Sequence, residues 1–251
     1  WPQPKTKPIQ VAPVGAEPST SPLQTKLGSL PVPSPRALTD TIVRNDQEVV
    51  PMPHRYVVLV PIKTSPQAKS RLAAGSFGPA AMQAFARDAI ASAKRSPWVD
   101  EVVIVSQDKL DLGQGAWLPD SGGGLNTALI QAQKRLMITH PDHGFLAMLG
   151  DLPCLLTAEL DAALAFGQDH ARWFVADHHQ SGTTMLGAAP GVGLGPIFGP
   201  NSATAHLASG AVPCNLTINS ARLDIDTPDD LRAAQALGVG AHTARALEPD
   251  K

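Results

Sequence analysis

Three aspartates and three cations are the residues of this chain best placed to do chemistry. Asp151 ends an apolar run in "LGDLPCL", and Asp224 and Asp226 alternate around an isoleucine in "DID". Carboxylates at the ends of buried segments offer oxygen-only ligands. These suit Mg2+, which takes one or two carboxylates and fills its shell with substrate phosphates and water. Asp151 and Asp226 are the expected metal pair, with Asp224 in a structural or supporting place. The competing reading of Asp226 is a charge that steadies the helix start at Thr227. A purely structural Asp151 is the weaker reading, because an unpaired carboxylate at a strand end is costly unless exposed. In "IKTSPQAKSRL", Lys63, Lys69 and Arg71 fall within nine residues. Point charges and a bidentate guanidinium are what phosphates need; the alternative is a solvated basic loop. Lys69 and Asp151 are the expected catalytic pair. "SGGGLNTAL" holds a third candidate, in which Gly123 and Gly124 let the backbone close on a flat ligand. Asn126 carries an amide able to read a base edge. "DHH" at 177–179 hints at metal, but no third ligand stands at an evident spacing, so a polar loop is expected.

These residues need a scaffold, and the chain predicts one from residue 55 onward. "YVVLVP" (56–61), "EVVIVS" (101–106) and "FLAMLG" (145–150) read as buried strands. "WFVAD" (173–177) and "TTMLGAA" (183–189) read as two more. Helical spacing runs through 80–96 and 125–139. A further helix spans 157–167, with Thr157 as cap and Gly167 as stop. Another spans 226–238, with Thr227 as cap, Pro228 at its first position and Gly238 as stop. A short helix is expected from Ser202. Strands alternating with helices give an α/β sandwich on a mainly parallel sheet, whose ligands gather at the carboxyl ends of the strands. Lys63 and Asp151 both follow strands at that edge.

Composition narrows the function. The chain has 251 residues, 43% hydrophobic and 17% charged, with a formal net charge of −2. That is one domain plus a tail. The balance has no basic stripe for nucleic acid, and no apolar run approaches the ~18 residues needed to span a membrane. Residues 1–54 hold 11 of the 24 prolines and no sustained period, which reads as a disordered linker or tail ahead of a domain at 55–251. A tether to a fused upstream domain is the alternative role. The two cysteines, Cys154 and Cys214, lie far apart, and no secretory signal is visible, so the expected setting is the cytoplasm. The P-loop and the dinucleotide fingerprint are both missing, and no nucleophile elbow marks a serine hydrolase.

Six ordered segments then carry a resemblance. "VPIKTSPQAKSRL", "GGGLNTAL", "GDLPCL", "GTTML", "FGPNSATAH" and "DIDTPDDL" resemble the CofC/FbiD family, the 2-phospho-L-lactate and phosphoenolpyruvate guanylyltransferases of coenzyme F420 biosynthesis. The resemblance covers roughly residues 55–245. It implies a three-layer α/β/α nucleotidyltransferase of the MobA type, related to the GT-A glycosyltransferases, with a mainly parallel mixed sheet. It also implies GTP and Mg2+, with a small phosphorylated carboxylic acid as acceptor: 2-phospho-L-lactate, phosphoenolpyruvate or 3-phosphoglycerate. By the same resemblance, Thr184, Gly199 and Ser202 cradle the acceptor's phosphate and carboxylate. The alternative for both hydroxyls is local capping. Another MobA-like or sugar-phosphate nucleotidyltransferase is the nearest rival, but "KTSPQAKSRL" departs from the Gly-rich first loop of those enzymes. A GT-A glycosyltransferase lacks support, since "GDLP" offers one carboxylate and no D-x-D. A homodimer is left open.

Overall fold

The computed structural model describes residues 53–62, 78–113 and 115–248. The expectations for the Pro-rich segment before residue 53 and for Lys63, Lys69 and Arg71 fall outside the described residues. The chain divides into Trp1–Val50 and Pro51–Lys251, and the second unit is treated below.

Seven strands form one sheet in the order β3-β2-β1-β4-β6-β5-β7. They are β1 (Tyr56–Pro61), β2 (Val99–Ser106), β3 (Ala116–Pro119), β4 (Gly144–Met148), β5 (Arg172–Ala176), β6 (Thr183–Ala188) and β7 (Val212–Pro213). β1 runs parallel to both β2 and β4, and β2 to β3. β6 alone is reversed, pairing antiparallel with β4 and β5. The helices are α1 (Pro79–Arg95), α2 (Leu125–Leu136), α3 (Thr157–Gly167), α4 (Ser202–Ala208), α5 (Asn219–Arg222), α6 (Pro228–Leu237) and α7 (Ala241–Ala246).

The strand pattern explains the layers. Tyr56 through Val60 are all fully buried, because both faces of β1 are covered. Tyr56, Val58 and Val60 pack with Ala86, Ala89 and Ile90 of α1 and Leu160 and Leu164 of α3. Val57 and Leu59 pack on the other face with Ala128, Leu129 and Ala132 of α2. A third cluster joins Phe85 of α1 to Leu223, Ile225 and Ala234. The last segment is tied down by Asp88, which accepts from the His242 and Thr243 backbone at 3.1 and 2.8 Å. A β-carbon at Gly240 would lie 2.2 Å from that carboxyl carbon.

Three local expectations shift. Thr157 is the first residue of α3 rather than its cap; its hydroxyl donates to the Ser92 carbonyl at 3.1 Å. Gly167 ends α3 as expected, and Trp173 and the Tyr56 hydroxyl fill the space a side chain would take there. The domain reaches back to His54, whose backbone exchanges hydrogen bonds with the Gln168 amide at 3.0 and 3.1 Å. β3, β7, α5 and α7 are too short to show a period in the sequence.

Candidate active site

The order of the sheet sets where a site can form. β2 and β3 lie on one side of β1, and β4 lies on the other. The connections therefore change direction between β1 and β4, and a crevice opens there at the carboxyl ends. Ile62, which leads into the cationic loop, leaves β1 at this edge; Leu149, Gly150 and Asp151 leave β4. Gly150 is required by close approach, since a β-carbon on it would sit 2.6 Å from Ile62 Cδ1. The Ile225 backbone then donates to the Asp151 carbonyl at 3.1 Å, which brings "DID" to the same place.

The three aspartates meet as the sequence suggested, but with different weights. Asp151 Oδ1 is sealed from solvent and has no hydrogen-bond partner among the described residues. Burial pushes the Asp151 carboxyl up to about 7, and the negative charges of Asp224 and then Asp226 push it further. Asp224 is itself driven up to about 6, first by burial and then by Asp226. Ile225 between them is buried, so both carboxylates turn away from the core. Asp151 thus feels Asp224 before Asp226. Asp151 and Asp224, pushed toward their protonated forms by burial and by neighbouring negative charge, are set up for a hard divalent cation that would offset that charge. An orphaned, buried carboxylate oxygen fits that need. Among the described residues, the set of ligand atoms that all lie within 4.8 Å of one another is instead His178, His179 and Asp230. As a set of three, the aspartates lie farther apart than that.

The glycine loop is built for backbone approach. Gly122, Gly123 and Gly124 all have φ near +90°, a conformation that side chains disfavour. A β-carbon on Gly122 or Gly124 would meet nothing within 4 Å. The glycines are therefore needed for conformation, and the space beside them is open. Gly124 then starts α2 with no side-chain cap. Asn126 is used differently from the expectation. Its amide donates to the Phe198 carbonyl at 3.1 Å and accepts from the Phe198 N–H at 2.8 Å. With both ends spent on one backbone unit, it braces the 197–199 segment rather than presenting an edge to a base.

The hydroxyls expected at the acceptor are likewise turned inward. Thr184 is fully buried, and its hydroxyl donates to the Ala221 carbonyl at 2.7 Å. Ser202 is 2% exposed and donates to the Thr183 hydroxyl at 3.2 Å. Thr183 in turn lies 2.9 Å from His206 Nδ1, and His206 Nε2 accepts from the Ile197 N–H at 2.9 Å. That ring is pushed down to about 4 by burial, so it stays neutral. Thr184 and Ser202 therefore lock local structure through buried hydrogen bonds, and neither is a helix cap. Gly199 alone of the three faces open space, with φ of +144°.

Sequence reasoning weighed His178 within "DHH" for metal and set it aside for want of a third ligand. Its Nε2 lies 3.2 Å from Asp230 Oδ1 and its Nδ1 lies 3.6 Å from Asp224 Oδ1. The partners come from a turn and from α6, some fifty residues later, so no spacing rule could have paired them. Among the described residues no helix is long and apolar enough to cross a membrane.

No family model matches the chain. A phosphoenolpyruvate guanylyltransferase of Streptomyces scabiei is 43% identical over 206 residues, covering 76% of this chain and 95% of that protein. One from Thermomonospora curvata is 41% identical over 198 residues, covering 75% and 87%. Among solved structures, one described as a nucleotide-diphospho-sugar transferase from Desulfovibrio desulfuricans superposes with a TM-score of 0.50 at 15% identity. It covers 73% of this chain and 96% of that one, a likeness of fold.

Proposed function

The chain belongs to the phosphoenolpyruvate guanylyltransferase family, and on that premise we propose that it transfers GMP from GTP to the phosphate of phosphoenolpyruvate. The relatives' names favour phosphoenolpyruvate over 2-phospho-L-lactate and 3-phosphoglycerate, and coenzyme F420 biosynthesis is the setting that the resemblance of the six ordered segments implies. The observation that carries the reading is Asp151. A buried, unpartnered carboxylate oxygen stands at the crevice between β1 and β4, beside two more carboxylates.

The bonds exchanged are simple. An oxygen of the acceptor phosphate bonds to the α-phosphorus of GTP, and the bond from that phosphorus to the α–β bridging oxygen breaks, releasing pyrophosphate. The acceptor phosphate is largely ionised near pH 7, because its second pKa is about 6. No side chain has to remove a proton, and the protein's task is to position the groups and neutralise their charge. Asp151, Asp224 and Asp226 would hold Mg2+, which supplies charge neutralisation between the two anionic substrates. Lys63, Lys69 and Arg71, which follow β1 in the sequence, are assigned the triphosphate. The open backbone at Gly122–Gly124 is assigned the guanine side, and the backbone at Gly199, braced by Asn126, the acceptor. Residues 1–52 are assigned no part in the chemistry, and the setting is the cytoplasm.

The test is direct. The chain is incubated with GTP and Mg2+ plus each of the three phospho-acids, and pyrophosphate release is followed. Phosphoenolpyruvate with GTP should be turned over fastest. Equal use of ATP, or no pyrophosphate with any of the three acceptors, would overturn the assignment.

A further inference from the structure

A second group of ligand atoms stands beside the aspartates and is chemically different. One ligand atom each from His178, His179 and Asp230 lie within 4.8 Å of one another. Donors about 2.0–2.2 Å from a tetrahedral zinc ion are roughly 3.4 Å apart, so a small torsional adjustment of the exposed His179 closes the set.

Each of the three is already held. The turn that carries the histidines is fastened by Asp177, whose carboxylate accepts from the Ser181 and Gly182 N–H groups at 2.9 and 2.7 Å. The turn cannot loosen by side-chain growth, because a β-carbon at Gly182 would lie 2.4 Å from Asp177 Oδ2. The His178 N–H donates to the Arg222 carbonyl at 2.9 Å. The two rings lie 3.7 Å apart between centroids. Asp230 is fixed from the other side. Its Oδ2 accepts from the Thr227 backbone and hydroxyl, both at 2.8 Å, in the capping box of α6. That leaves Oδ1 for His178 Nε2, at 3.2 Å.

The other nitrogen of His178 has a carboxylate close by, at ion-pair rather than hydrogen-bond distance. Nδ1 lies 3.6 Å from Asp224 Oδ1. A histidine that binds a metal through one nitrogen commonly gives its other N–H to a carboxylate, which sets the tautomer and aims the ring. Two imidazole nitrogens and one carboxylate oxygen suit a borderline-soft cation; Mg2+ prefers oxygen alone.

We propose that His178, His179 and Asp230 form a binding site for a divalent cation of the zinc class, separate from the oxygen-only aspartate site and joined to it through Asp224. The site stands on its own ligands and does not depend on the guanylyl-transfer reading. An ion there adds positive charge beside Asp224, so its occupancy weakens Mg2+ binding at the aspartates.

Calorimetric titration of the full, metal-stripped chain with Zn2+ tests the proposal. One ion per chain should bind, and His179→Ala, in a turn held by Asp177 rather than by that ring, should weaken binding at least about tenfold. His178→Ala should do the same. His143→Ala, at the chain's other histidine pair, and Asp151→Asn should both keep the wild-type isotherm. Circular dichroism confirms that each variant is folded. The proposal is overturned if wild type shows no zinc binding at micromolar concentrations. It also fails if His179→Ala and His178→Ala bind like wild type. Loss of zinc binding in Asp151→Asn would place the ion on the aspartates and equally refute the site.

Discussion

Asp151→Asn keeps the shape of the side chain and removes its charge, and the structure makes the consequence depend on pH. In the metal-free protein the carboxyl is pushed from 3.8 to about 7, by burial first and then by Asp224 and Asp226. Between those values the folded chain holds a proton that the unfolded chain has released. The stability this group contributes is therefore fully present below about pH 4 and is lost as pH rises through 7. A rise from 3.8 to about 7, at about 1.4 kcal/mol per pH unit, corresponds to a ceiling of roughly 4 kcal/mol. Asp224 shares the protons, so a loss of ~2–4 kcal/mol between pH 4 and pH 8 is the working figure. The variant should lack that loss. Urea denaturation followed by tryptophan fluorescence, with a chelator present, measures both proteins at the two pH values. The buried amide carries its own cost at both, so the quantity to read is the change in the difference between proteins. Added Mg2+ should then stabilise the wild type at pH 8 and barely move the variant, and turnover should be nearly abolished in the variant despite its sound fold. Parallel pH profiles for the two proteins, or an equal response to Mg2+, would refute the reasoning.

Gly124→Ala should cost about 1–3 kcal/mol of stability and raise the KM for GTP, since φ of +89° is strained for alanine although no atom blocks its β-carbon; thermal melts and steady-state kinetics check it. Thr227→Ala removes the capping box of α6 and should destabilise the chain by ~1–2 kcal/mol in chemical denaturation. Lys69→Ala should weaken GTP binding by ~1.5–3 kcal/mol, the worth of one charge-assisted contact, as read by titration calorimetry; unchanged affinity would return the loop to solvated surface. Deleting residues 1–52, which keeps the His54 bonds to Gln168, should leave kcat unchanged, and loss of folding would show that the segment packs on the domain.

Much of the scaffold was legible because its signals are local. Five strands were visible as β-branched or apolar runs, and β1 falls on the expected residues Tyr56–Pro61. The start of α6 was readable from Thr227 and Pro228, because capping chemistry acts within one turn. The alternation of Asp224, Ile225 and Asp226 announced two carboxylates on one side of a buried residue, and burial of Ile225 follows. Misreadings came where a distant group decided the matter. Thr157 looked like a helix cap, yet it is the first residue of α3 and its hydroxyl goes to the distant Ser92 carbonyl.

The sequence by itself determined an α/β sandwich with acidic and glycine-rich segments after its strands, and through ordered motifs the family. Tertiary structure alone decided which polar groups are free to act. Asn126, Thr184 and Ser202 looked available as donors, but each spends its hydrogen bonds inside the fold, on Phe198, Ala221 and Thr183. Asp224 rose in importance, and His178 gained two carboxylate partners that no motif links to it. The physical reason is that a motif records which groups a segment carries, whereas a hydrogen bond or a charge interaction depends on distance in space. Only once the chain is packed does each buried donor find its acceptor, and only then does an oxygen such as Asp151 Oδ1 stand without one among the described residues.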